Sequence, residues 1–136
     1  MSIKSVANQF VELCRQGKNF DVMRTMYART IVSVEGDGKE TTGQGPVIKK
    51  SEDWVSDKEF NGETVAGPFF NAANPDQFVV YFTLDITPKA TKKRVTLQEV
   101  GVYTVNKEEF RSHMAGMDAE NATSPAGAVG KIRPVV

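Results

Sequence analysis

Apolar and polar positions alternate most regularly between Gln77 and Val105. In Gln77–Thr87, Phe78, Val80, Phe82, Leu84 and Ile86 fall on one face, and Val79, Tyr81, Thr83 and Asp85 on the other. That period of two predicts a β-strand. Pro88–Lys92 turns the chain, and Lys93–Val105 answers as an antiparallel partner. Within it, the stretch RVTLQEVGVYTV (Arg94–Val105) places Leu97, Glu99, Gly101, Tyr103 and Val105 on one face. Glu99 is the single charge on that face. A carboxylate there is either a pocket group or a charge at a strand edge.

Before Phe60 the period is helical. Ile3, Val6, Ala7, Phe10, Leu13 and Cys14 recur at steps of three and four, which predicts a helix over 2–16 with Ser2 as its cap and Gly17 at its end. A shorter helix is expected from Phe20 to Ala28, with Asn19 as cap and Phe20, Met23, Met26 and Tyr27 on its buried side. Thr30–Glu35 is short and β-branched and reads as a strand, ended by Gly36-Asp37-Gly38. Pro46 opens a third helix, to Ser56, whose one side carries Val47, Ile48, Ser51, Trp54 and Val55. Glu63–Asn71 is the next strand. Gly67-Pro68 inside it requires an edge position or a bulge, because proline cannot donate to a ladder. Asn74-Pro75-Asp76 is expected as a turn, and a last strand is expected over Glu109–Ala115 after the turn Asn106-Lys107-Glu108.

After Gly116 the pattern stops. Residues 117–136 are rich in Ala, Gly and Pro and read as a mobile tail. Ile132, Pro134, Val135 and Val136 are the part of it that could dock on the body or on a partner. The expected organisation is one domain over 1–116 followed by the tail. Helices segregate from a mainly antiparallel sheet, so the fold class is α+β, with three N-terminal helices packed on a strongly curved sheet. Such curvature makes a cone with an open mouth.

Composition narrows the function classes. A chain of 136 residues is enough to bury roughly two thirds of its unfolded surface. Seventeen basic residues balance seventeen acidic ones, which argues against a nucleic-acid partner. A single cysteine, Cys14, rules out an intramolecular disulfide and reads as a small core residue. No apolar run approaches the ~18 residues of a membrane span, and nothing near Met1 resembles a secretory leader. The expectation is a cytoplasmic protein that engages no membrane. The glycines of Gly43-Gln44-Gly45-Pro46 lack the Lys-Ser/Thr of a phosphate loop. His, Cys and carboxylate residues are scattered, so no metal site is expected.

The order of elements and several local strings resemble the nuclear transport factor 2-like superfamily and, within it, the SnoaL-like, polyketide cyclase-like group. The strings are DVMRTMYARTIVSVEGDG, GQGPVIKKSEDW, VAGPFF and FVVYFTLDITPKATKKRVTLQEVGVYTV, together spanning about residues 3–115. The resemblance implies a cone-shaped α+β barrel with an apolar cavity, a homodimer formed through the outer sheet face, and no cofactor. It implies either cofactor-independent isomerases, cyclases and dehydratases or non-catalytic binding modules. In the isomerase branch a base carboxylate follows the first strand and an oxyanion-hole acid lies on the strand matching Arg94–Val105. Those positions are Val34 and Gly101 here, and neither can do the job. Glu99 is two residues from the second position and keeps its face; Glu35 is one from the first and falls on the opposite face unless the strand has ended. The cyclase branch carries a histidine or carboxylate on its last strand, about where His113 stands.

The candidate catalytic residues are therefore Glu99, His113 and Tyr103. Glu99 or His113 would serve as base and a tyrosine would polarise an oxygen. Whether Glu99 and His113 share a face depends on one turn. If Val105 pairs with Glu109, Gly101 faces His113, and Glu99 shares its side with Arg111. If Thr104 pairs with Glu109, Glu99 shares its face with Phe110, Ser112 and Met114. Candidate ligand-binding residues are Tyr27, Trp54, Phe69, Phe78, Tyr81, Phe82 and Met114. Two readings follow. The first is a protein for a small, largely apolar molecule, acting by proton transfer next to a carbonyl where it is catalytic. The second is a non-catalytic dimeric module, in which Glu99 and His113 are surface or structural groups. The two vacant carboxylate positions count against steroid isomerisation.

Overall fold

The structure is a computed structural model that describes residues 2–105 and the backbone of Ala128–Val135. Three helices, α1 (Ile3–Arg15), α2 (Asn19–Thr25) and α3 (Gln44–Ser56), accompany six strands. These are β1 (Val32–Val34), β2 (Glu40–Thr42), β3 (Lys58–Asn71), β4 (Asn74–Pro88), β5 (Val95–Val105) and β6 (Ala128–Val135). β1 and β2 form a small antiparallel hairpin, and the main sheet has the order β3-β4-β5-β6, antiparallel throughout. This is the α+β cone expected from the sequence, with one difference. The main sheet stays open, with β3 and β6 as its edges, rather than closing into a barrel.

α1 forms where the apolar stripe predicts it. The Ser2 hydroxyl accepts from the Ser5 N–H at 3.2 Å, and Val6, Ala7, Phe10, Val11 and Cys14 are buried. Gly17, at φ 75°, lets the chain reverse out of the helix. The far end of α1 is fastened to β3, since Arg15 donates from Nε to the Val65 carbonyl (3.2 Å) and from Nη2 to that of Gly67 (3.3 Å). The stripe packs on the inner face of β4, where Phe78, Val80, Phe82, Leu84 and Ile86 are all buried as the alternation requires. Burying a side chain the size of Phe10 contributes about 1.5–3 kcal/mol. Its ring meets Phe78 edge-on at 5.4 Å and Tyr103 at 4.5 Å.

Several local expectations are corrected. Asn19 does not cap α2; it is the first helical residue, its side-chain NH2 donates to Glu63, and its Oδ1, the atom that would cap, takes no backbone N–H. The turn between β3 and β4 is at Ala72-Ala73, not at Asn74-Pro75-Asp76. Asn71 already pairs with Asn74, and its Oδ1 accepts from the Ala73 N–H at 2.9 Å. β2 was not foreseen because Glu-Thr-Thr shows no apolar alternation; it forms as the partner of β1 across the predicted glycine turn. The bulge predicted at Gly67-Pro68 is present as a register shift between Ala66 and Phe69.

The expected strand over Glu109–Ala115 and its turn lie outside the described residues. Along Gln98–Val105 the outer neighbour of β5 is Ala128–Val135, so this part of the presumed tail is a strand. The backbone N–H and C=O groups of β5 need partners, and β6 supplies them. Pro134 is tolerated there because β6 is the sheet's edge.

Candidate functional site

A pocket of about 710 Å³ lies between the helices and the inner face of the main sheet. Its depth is set by Phe10 and Cys14 of α1, Val22 of α2 and Tyr27 just after α2. One wall comes from α3, through Val47, Lys50, Ser51, Trp54 and Val55, and the opposite wall from β3, β4 and β5. The helix face read from the sequence for α3 is thus a pocket wall more than a packing surface, and only Val47 on that helix is buried. Trp54 stands partly exposed and meets Phe60 at 5.9 Å, with the Lys58 ammonium 4.3 Å above the indole.

β5 brings two sequence candidates into this space. Glu99 and Tyr103 lie on its inner face, and both line the pocket. The carboxyl of Glu99 has no hydrogen-bond or ion-pair partner among the described residues. Burial, reinforced by the charges of Glu35 and Glu63, pushes its pKa up from the ordinary carboxylate value. Tyr103 is fully buried and stacks on Phe78 at 5.2 Å. Its ring folds back across Gly101. A Cβ on Gly101 would stand 2.5 Å from the Tyr103 hydroxyl oxygen. The glycine at the position where the isomerase branch has an acid is therefore the slot that the tyrosine occupies. A hydrogen bond links the phenols of Tyr103 and Tyr27, and burial raises the pKa of both, so both stay protonated at neutral pH. Tyr27 is held by its own backbone, whose carbonyl accepts from the Gln44 side chain at 2.8 Å.

Other candidates fall elsewhere. Phe82 and Trp54 line the pocket. Phe78 shares the inner face but is wholly buried beneath α1, so it belongs to the core and not to the pocket. Tyr81 is on the opposite face of β4, as its alternation with Phe82 dictates, and Phe69 is 54% exposed beside it on the outer face, so neither lines the pocket. Asp85, also outward, is bound by Arg94, whose Nε lies 2.8 Å away. His113 and Met114 lie outside the described residues.

Sequence reasoning missed several pocket groups. In β1 it is Ser33 that is buried, not Val34, so Glu35, two residues on, shares the Ser33 face and reaches the pocket, where it pairs with Lys50 at 2.6 Å. Lys50 also donates to Ser33 at 3.0 Å. Its place one turn from Val47 and Trp54 was the available signal. Glu63 was legible as the same-face neighbour of Val65. It sits at the pocket rim, and the Asn19 amide donates to both its oxygens, at 3.0 and 3.3 Å. Burial raises its pKa, and the Asn19 hydrogen bonds oppose that shift. The Cys14 thiol is pushed up to about 12, first by burial and then by the charge of Glu63, so it is no nucleophile at neutral pH. Among the described residues no three His, Cys, Asp or Glu side chains are grouped to hold a metal ion, and no helix is long and apolar enough to cross a membrane.

This architecture, helices over the inner face of a curved antiparallel sheet with a pocket between them, is that of the nuclear transport factor 2-like proteins. The profile of the SnoaL-like domain family matches residues 1–113, and the chain belongs to that family. A structure provisionally named a SnoaL-like polyketide cyclase, from Mesorhizobium loti, is 32% identical, with a TM-score of 0.77 and full coverage of both chains. A provisionally named isomerase from Bacillus subtilis is similar in fold at 9% identity, with a TM-score of 0.61 over 94% of this chain and 82% of that one. A provisionally named polyketide cyclase from Pseudomonas putida has a TM-score of 0.58 at 10% identity, covering 95% of this chain and 86% of its own. No curated protein matches the sequence.

Proposed function

We propose that this chain binds a small, largely apolar molecule in its pocket and moves a proton at a carbon next to a carbonyl, with no cofactor. Glu99 is the base. Tyr103 and Tyr27 share one hydrogen bond, which uses the single O–H of one phenol, and the O–H of the other donates to the oxygen on which negative charge develops. The observation that carries this reading is the Glu99 carboxyl, without a partner among the described residues and on the same strand face as the phenol of Tyr103 folded over Gly101. A carboxylate partly withdrawn from water and facing other carboxylates is a stronger base than one in solution, and a buried phenol is a ready donor to an oxyanion. The names given to the relatives, cyclase and isomerase, fall in the same class of chemistry.

Ring opening of a nitrobenzisoxazole tests the base without knowledge of the natural substrate. One C–H proton is removed, the N–O bond breaks, and a coloured cyanophenolate is released. The wild-type protein is expected to exceed free acetate at equal pH. Glu99→Gln is expected to lower kcat/KM by about 100-fold or more, the usual scale of general-base catalysis. Turnover unchanged in a folded Glu99→Gln protein would exclude Glu99 as the base.

A further inference from the structure

Three carboxyl groups line the pocket, and they are not equivalent. Glu35 is neutralised by Lys50. Glu99 has no partner among the described residues. Glu63 is held from one side by a neutral donor, the Asn19 amide, which fixes the carboxyl without supplying a counter-charge. Asn19 is committed to this contact, since its own Oδ1 is buried without a partner. An orphaned buried acceptor is destabilising, so the arrangement is not one that stability alone selects.

The register places Glu63 and Glu99 across the pocket from each other. Glu63 pairs with Leu84 on β4, while Glu99 pairs with Phe82, two residues along the same strand. Their backbones are thus separated by two strand spacings and two residues along the strand, roughly 12 Å, on the inner face of one sheet. Both side chains, and those of Phe82 and Leu84 between them, line the same space. A ligand lying over Phe82 and Leu84 would present one side to each carboxyl.

We propose that Glu63 is a second proton-transferring residue of this pocket, acting as general acid on a group that leaves from the carbon next to the one Glu99 deprotonates. This rests on the reading of Glu99 as base. It narrows the substrate class to β-hydroxycarbonyl compounds. Glu99 takes the proton from the carbon next to the carbonyl. The carbonyl oxygen gathers the charge under the Tyr103 and Tyr27 phenols. The electron pair then forms the C=C bond as the C–O bond breaks, and Glu63 gives its proton to the departing hydroxyl. The products are a conjugated enone and water. Glu99 ends protonated and Glu63 ionised, and one proton passed through solvent resets both. No oxidant or co-reactant is consumed. The raised pKa of Glu63 keeps more of it in the protonated form that this step needs.

The test uses two reactions on one protein. The first is the nitrobenzisoxazole opening, which needs a base alone. The second is dehydration of the acetone–benzaldehyde aldol to its conjugated enone, followed by ultraviolet absorbance, which needs base and acid. Glu63→Gln is expected to lower the ratio of dehydration to ring opening at least 30-fold, mainly through kcat. It is also expected to remove the fall in dehydration rate at high pH that ionisation of Glu63 causes. Glu63→Asp should restore part of the ratio and bring the high-pH limb back. Glu99→Gln should depress both reactions. An unchanged ratio in Glu63→Gln would overturn the proposal, and so would a wild-type protein that opens the benzisoxazole but does not dehydrate the aldol. Loss of the base reading would show separately, as ring opening that survives Glu99→Gln. Should Glu63→Gln fold poorly, Asn19→Ala keeps the carboxyl and removes the hydrogen bonds that hold its pKa down; the high-pH fall in dehydration is then expected to move to higher pH while ring opening keeps its profile, and an unmoved limb would count against Glu63.

Discussion

At the scale of single residues, the pocket turns on how each carboxyl is treated. Glu99 was conspicuous in the sequence because it is the one charge on an apolar strand face, and a lone charge in such a pattern is either functional or costly. Its cost has a sign that can be measured. Burial and the neighbouring carboxylates hold its folded-state pKa above the ordinary carboxylate value. The folded protein therefore holds a proton that the unfolded chain releases, and stability falls as pH rises through the folded pKa. Glu99→Gln removes that loss. The variant should melt higher than wild type at neutral pH, and the two should converge below about pH 4.5, where both states are protonated. Equal melting temperatures across the whole range would show that Glu99 is ordinarily solvated. Glu35 was harder to read. Its face depends on whether Ser33 or Val34 turns inward, and Ser33 is the buried one, so alternation carries Glu35 to the inner side, where it meets Lys50. In a strand of three residues that choice is made by tertiary contacts and not by the local pattern.

At the scale of elements, legibility follows the strength of the periodic signal. β4 and β5 were clear because both faces alternate over ten or more residues, and α1 because its stripe is continuous. β2 and β6 carried no such signal, and each exists because a neighbour's backbone needed a partner. Alternation also says nothing about depth. Phe78 and Phe82 share a face, yet α1 covers the first and the pocket opens over the second. Within β5 the element works through Gly101. Tyr103 lies across it, wedged by Phe10 and Phe78, so its ring has little freedom to retreat. Gly101→Ala forces a Cβ to within 2.5 Å of the phenol oxygen and 2.6 Å of the ring. Overpacking of this kind costs about 1–3 kcal/mol. The variant should melt below wild type and lose benzisoxazole opening together, because the displaced phenol is also the proposed donor. A melting curve superimposable on wild type would mean that the ring moves freely.

At the scale of the whole molecule, the outer face of the main sheet is the other large surface, and we propose it as the dimer interface that the family resemblance led us to expect. Its side chains support that expectation. Phe69, Val79 and Val102 stand in one cross-strand row, and Ala66, Tyr81 and Val100 in the next. Phe69 is more than half exposed, and Val79, Tyr81, Val100 and Val102 are only partly covered. A contiguous apolar patch of this kind, with Asp85 and Arg94 paired beyond it, is what marks an association surface on a soluble chain. The pocket faces the other way, so a partner seated on this face leaves the pocket free. Sedimentation equilibrium at micromolar concentration should give twice the 15.0 kDa of one chain. Val102→Lys places a charge at the centre of the patch on a strand paired on both sides. It should return the mass to one chain and leave benzisoxazole turnover within a few-fold of wild type, because Val102 points away from Glu99 and Tyr103. A wild-type mass of one chain would refute the interface. A two-chain mass that survives Val102→Lys would move the interface to another surface, with the edge of β3 the next to test.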